Sequence, residues 1–134
     1  MADDESLSAL GDAQFVSLTT FRRSGEPVPT TVWIARDGAA LVVTTPDGSG
    51  KVKRLRRDPR VELRPSSRGG AVDEAVAPRA GVAEIITDPT GLARGAARLR
   101  DKYGLQYRLI TLVERLVDRR GRRRVILRIT PGSG

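Results

Sequence analysis

Apolar and polar residues alternate along the first third of the chain. Residues 14–21, QFVSLTTF, keep that two-residue period and are rich in β-formers, which predicts a strand. RRSGEP at 22–27 supplies turn chemistry, and VPTTVWIAR at 28–36 predicts the returning strand. Asp37-Gly38 is a tight-hairpin signal into AALVVTT at 39–45, so these three strands form an antiparallel meander. After the loop PDGSG at 46–50 the spacing changes. Val52 and Leu55 lie three apart in KVKRLRRD at 51–58, which predicts a short helix with both facing inward. Asp58-Pro59 ends it, because the residue before proline disfavours the α region.

Strand alternation returns in RVELRP at 60–65, with Val61 and Leu63 inward, and in RAGVAEIIT at 79–87. A loop or wide hairpin at 66–78 separates them. Residues 88–104 predict a helix: Asp88 suits the N-cap, Pro89 the first helical position and Gly104 the stop. Residues 105–121 predict a second helical segment, with Leu109, Leu112, Val113 and Leu116 on one face. RRRVILRIT at 122–130 predicts a sixth strand. The order β-β-β-α-β-β-α-α-β describes one mainly β (α+β) domain over residues 1–134, with the acidic stretch 1–12 as a flexible lead-in. Six short antiparallel strands favour a barrel, since closure removes exposed edges, although an OB-like barrel or small sandwich fits the same pattern.

Composition narrows the chemistry. A hydrophobic fraction of 39% and a charged fraction of 30% suit a soluble globular protein and not a disordered one. No apolar run is long enough to span a membrane, and MADDESLSAL lacks the apolar core of an export signal. The absence of Cys removes disulfides, thiolate metal sites and Cys nucleophiles, and points to the cytoplasm. The absence of His removes the commonest general base and metal ligand, so a Ser-His-Asp hydrolase or a His-based zinc site is impossible. An enzyme built from this chain draws its chemistry from a bound cofactor.

The net charge is +8, and 21 of the 24 cations are Arg. GC-rich codon usage accounts for part of that surplus but not for its clustering. SGKVKRLRRDPRVEL at 49–63 holds six cations and two acids. A helix starting near Ser49-Gly50 presents free amides and a positive dipole end, which favour an anion. Lys51 and Arg54 share one face at i, i+3, with Arg57 extending it, while Lys53, Arg56 and Arg60 read as plain surface charges. Arg22 and Arg23 sit at a hairpin tip, either as exposed charges or turned toward the anionic tail of a bound coenzyme, and Lys102 complements a helix C-terminus. Tyr103 reads as a core or interface aromatic, and DRRGRRRV at 118–125 as a solvated hairpin end. Nucleic-acid readout needs stacking aromatics on a basic surface, and two Phe, two Tyr and one Trp form no such platform here.

Three stretches taken together carry a resemblance: TTFRRSGEPVPTTVW, a third strand ending in paired Thr, and GKVKRLRRDPRV, followed later by DKYG. Over residues 14–130 the chain resembles the small split-barrel proteins related to pyridoxamine-phosphate oxidase, and within them the actinobacterial branch that uses the deazaflavin coenzyme F420. The resemblance implies a six-stranded antiparallel split β-barrel with short flanking helices, forming a homodimer with a cofactor groove at the subunit interface. By position it implies that Ser49, Lys51 and Arg54 meet the coenzyme's phosphodiester. Thr44 and Thr45 would lie along the deazaflavin ring, and Pro29, Thr30, Thr31 and Val32 would line the groove. Family members commonly carry Pro where this chain has Thr31, which bears on pocket shape. Sister branches use FMN.

The activity implied is hydride transfer between F420 and an unsaturated organic substrate, with no catalytic side chain assigned. Two alternatives accompany it: an FMN- or F420-binding carrier or sensor without turnover, and a basic nucleic-acid-binding barrel. The partners expected are a small-molecule substrate and a second copy of the chain, with neither membrane nor nucleic acid.

Overall fold

The computed structural model describes residues 7–106 and 124–132. Seven strands form one antiparallel sheet: β1 (Phe15–Phe21), β2 (Pro27–Val32), β3 (Ala35–Asp37), β4 (Ala40–Pro46), β5 (Arg60–Ser66), β6 (Arg79–Ile86) and β7 (Arg124–Pro131). Among the described residues, α1 (Gly50–Arg57) and α2 (Pro89–Tyr103) flank it, and a 3-10 turn covers Leu10–Asp12. The strand order is β2-β1-β5-β6-β7-β4-β3. The helical segment expected at 105–121 lies, from residue 107 onward, outside the described residues.

The sheet's two edges, β2 and β3, are consecutive in the chain and separated only by Trp33 and Ile34. Three residue steps bridge at most ~11 Å, whereas seven strands laid flat would span ~29 Å. The sheet therefore curls until its edges nearly meet, as a barrel left open between β2 and β3. This corrects the expected six strands to seven. The continuous strand expected at 28–36 is instead two, because its first part pairs with β1 and its last with β4.

Alternation puts Val16, Leu18, Val32, Leu41, Val43, Val61, Leu63, Leu127 and Ile129 inside the barrel. Val52 and Leu55 of α1, 0% and 3% exposed, plug one end, as their spacing predicts. The lead-in is built into the fold in its described part, where Leu7 and Leu10 join the same core. On the outer face α2 lays Leu99 and Tyr103 against Val42, Ile126 and Ala35. Gly95 makes that approach possible, since a Cβ there would fall 2.8 Å from Ile126 atoms. The β3–β4 hairpin turns at Gly38 with φ +65°, and Ala39 follows with negative φ, the signature of a II′ turn.

Lys-Tyr at the end of α2 pins the open seam. Tyr103 Oη accepts a hydrogen bond from Ile34 N at 3.0 Å and donates to Gln14 O at 2.7 Å. Its ring stacks on Trp33 with centroids 4.5 Å apart and planes 11° apart. Burial pushes the phenol above its ordinary value, so it stays protonated. Lys102 Nζ donates to the carbonyls of Gly11, Ala13 and Ile34 at 2.5–2.6 Å. Lys102 thus joins the stretch at 11–13 to Ile34 beside the seam, beyond complementing the helix dipole.

Candidate functional site

The site is built around the first turn of α1. Ser49 caps the helix, its Oγ accepting from Val52 N at 3.4 Å and lying 3.4 Å from Thr45 Oγ1. The first backbone bond that closes on the cap is Lys53 N to Ser49 O at 3.2 Å, which leaves the Gly50 and Lys51 amides ahead of the ladder. Arg54 folds back over this turn: a Cβ on Gly50 would sit 2.9 Å from Arg54 Nη1. Its Nε donates to Thr20 Oγ1 at 2.7 Å, which fixes the guanidinium.

Neither Lys51 nor Arg54 has a carboxylate partner among the described residues. Burial depresses Lys51 below its ordinary value, and the charges of Arg54 and Arg124 depress it further. Arg54 is shifted downward by burial, then by Arg22 and Arg57. Lys51 and Arg54 thus sit at one helix start with no carboxylate partner among the described residues, and the charges of Arg124, Arg22 and Arg57 reach them. Such an arrangement repels itself until an anion arrives, and the unpaired amides and dipole add to the attraction. The neighbouring charges behave as expected of surface groups. Arg56 pairs with Asp47 at 2.8 Å and Arg60 with Asp58 at 2.8 Å, both at the exposed surface, where Lys53 also lies.

The other sequence candidates separate by strand alternation. Thr45 is 1% exposed and faces inward, whereas Thr44 is on the outer face and accepts from Arg124 Nε at 3.0 Å. Their side chains point to opposite sides of the sheet, so a ring lying on one face meets only one of them. On β2, Val32 and Thr30 face the interior, and Thr30 Oγ1 donates to Leu18 O at 3.3 Å. Pro29 and Thr31 are exposed on the outer face of this edge strand. Thr20, which takes Arg54 Nε, pairs with Val28 on the inner side of β2, in phase with Thr30 and Val32, whereas Pro29 and Thr31 lie on the opposite face.

One contributor escaped the sequence reading. Arg124, within the stretch expected to be a solvated hairpin end, lies in β7 opposite Pro46 and acts electrostatically on Lys51. Arg22, at the β1–β2 hairpin tip, lies close enough to Arg54 to lower its pKa. Only strand register could have revealed Arg124, because 46 pairs with 124 across nearly eighty residues.

No helix among the described residues is long and apolar enough to cross a membrane. Several solved structures share the fold. A conserved hypothetical protein of Mycobacterium tuberculosis, Rv2991, is 25% identical with a TM-score of 0.67, over 99% of this chain and 82% of that one. An F420 reductase is 24% identical with a TM-score of 0.59, over 96% and 93% of the two chains. HutZ, the heme storage protein of Vibrio cholerae, is 14% identical with a TM-score of 0.64, over 99% and 90%. No curated protein matches the sequence. The sequence profile of pyridoxamine 5'-phosphate oxidase matches residues 2–133, and the chain belongs to that family.

Proposed function

We propose that this protein is an F420-dependent oxidoreductase that passes a hydride between the deazaflavin ring and an unsaturated organic substrate. The observation that carries the reading is the pair Lys51 and Arg54 at the start of α1, partly buried and without a carboxylate partner among the described residues. The donor set fits a phosphodiester: two cations, free first-turn amides and a positive helix end in one place. Family membership supports a flavin-type cofactor, and the sequence motifs favour the deazaflavin branch. An F420 reductase among the proteins that share the fold is consistent with that choice.

When bound, the deazaflavin supplies the hydride chemistry. Lys51, Arg54 and the amides after Ser49 hold its phosphate, and the outward-facing Pro29 and Thr31 line the groove for the ring. A chain with no His and no Cys suits this division of labour, because hydride transfer needs no protein acid or base at the reacting carbon. Haem storage as in HutZ fits less well, since the commonest axial donors, His and Cys, are missing. The homodimer and cytoplasmic location belong to the same reading.

FMN carries a phosphate that the same cradle could hold, so cofactor choice is tested directly. Absorbance titrations with F420 and with FMN should show saturable F420 binding at micromolar concentration. Failure of both refutes the reading, and binding of FMN alone moves the protein to the sister branch. Oxidation of reduced F420 by a quinone, enone or tetrapyrrole separates an enzyme from a carrier.

A further inference from the structure

We infer that the outer face of β1, β2 and β5 carries a carboxylate-binding subsite centred on Arg64. Strand pairing sets Arg64 of β5 opposite Ser17 of β1, and Ser17 opposite Thr31 of β2, in one row across the sheet. The loop after β5 lies over this row. Its backbone folds back through the Ser66–Val72 bridge, and its tip at Gly70 comes so close that a Cβ there would fall 2.9 Å from Thr31 Oγ1.

Under that cover Arg64 Nη1 donates to Glu74 Oε2 at 3.1 Å. The Nε–H of the same guanidinium is buried and has no hydrogen-bond partner, alone in this among the buried side-chain polar atoms of the described residues. Folded proteins seldom leave a buried donor unmet without a use for it. Nε and Nη2 together form the side-on edge of the guanidinium, the fork that matches the two oxygens of a carboxylate. Glu74 occupies only the other nitrogen. Its side chain is 82% exposed on the loop, against 25% for Arg64. A carboxylate entering beside Thr31 would fill the vacant fork while Glu74 stays or swings away.

The row lies on the same outer face as exposed Pro29 and Thr31, where the groove is assigned. Identifying the occupant as an acid group on the substrate therefore rests on the cofactor reading above. Carboxylate binding itself does not, and it is tested without coenzyme.

The experiment follows the Arg64 Nε–H resonance by ¹H–¹⁵N correlation spectroscopy, assigned by its loss in Arg64→Lys. Sodium benzoate is titrated against benzamide and sodium chloride. Benzoate should move the resonance saturably, and benzamide and chloride should not. Arg64→Lys keeps the charge but loses the fork, and should weaken benzoate binding about tenfold or more. Glu74→Gln removes a competing acid and should tighten it severalfold, whereas Arg79→Gln, at an exposed position, should change nothing. Opposite effects at 64 and 74 are not what a merely structural ion pair would give. If Arg64→Lys fails to fold, the tightening by Glu74→Gln decides. An unmoved resonance overturns the proposal, as does equal movement with chloride. So does a persistent exchange contact between Nε–H and water at saturating benzoate, which assigns the donor to a buried water. If F420 does not bind but benzoate does, the subsite stands and only its link to the substrate falls.

Discussion

Replacing Tyr103 by Phe removes one oxygen from the seam between β2 and β3 and leaves the ring to stack on Trp33. Two hydrogen bonds go with it, from Ile34 N at 3.0 Å and to Gln14 O at 2.7 Å. Ile34 is 0% exposed, so its N–H cannot turn to water instead. An orphaned buried donor costs about 1–3 kcal/mol and the lost neutral bond about 1 kcal/mol, for a total of about 2–4 kcal/mol. For a chain of this length that corresponds to a fall in Tm of about 6–12 °C. Urea unfolding of the two proteins should show the midpoint falling with an unchanged m-value, since the native fold is retained. A loss below about 0.5 kcal/mol would refute the view that this hydroxyl holds the seam.

Three further outcomes follow from the packing and charge of the fold. Gly95→Ala places a Cβ 2.8 Å from Ile126 and should cost about 1–3 kcal/mol by thermal melting, despite alanine's better helix propensity. At Asp37, burial pushes the carboxyl up, but the Arg94 hydrogen bonds and the charges of Arg94, Arg98 and Arg128 outweigh it and hold the pKa low. A lowered folded pKa adds stability above the unfolded value near ~3.9 that is lost as pH falls through the folded value. Asp37→Asn should therefore be less stable at pH 7 and lose less on acidification, and equal acid sensitivity in urea melts would contradict this. Lys51→Met removes a cation that its neighbours repel, so the variant without ligand should melt no lower than the parent. A clear drop in Tm would show that Lys51 serves the fold.

Most of the fold was legible because its signals are local. The alternation of β1 and β5 names their inward residues, and Val52 with Leu55 names the buried stripe of α1. Asp88, Pro89 and Gly104 mark the ends of α2, where the Asp88 side chain accepts from Gly91 N. The break at Trp33-Ile34 was not legible, because the residues there are as apolar and β-prone as those in the strand. Only the change of partner from β1 to β4 splits them, and partners are non-local. The same limit explains the site. Ser49, Lys51 and Arg54 could be read from one helix start, whereas Arg124 arrives only through strand pairing. Thr44 and Thr45 looked equivalent as a pair in sequence, yet alternation sends them to opposite faces. The loop at 66–78 gave no pattern at all, and the buried edge of Arg64 beneath it appears only in three dimensions.

The central claim is that Lys51 and Arg54 form a cradle for the phosphate of F420. Equilibrium dialysis of F420 against the parent protein and Lys51→Met, at equal measured stability, tests it most directly. One charge-assisted hydrogen bond is worth about 1.5–3 kcal/mol, so the dissociation constant should rise about ten- to hundredfold. An unchanged constant, or a parent protein that does not bind F420 at micromolar concentration, would contradict it.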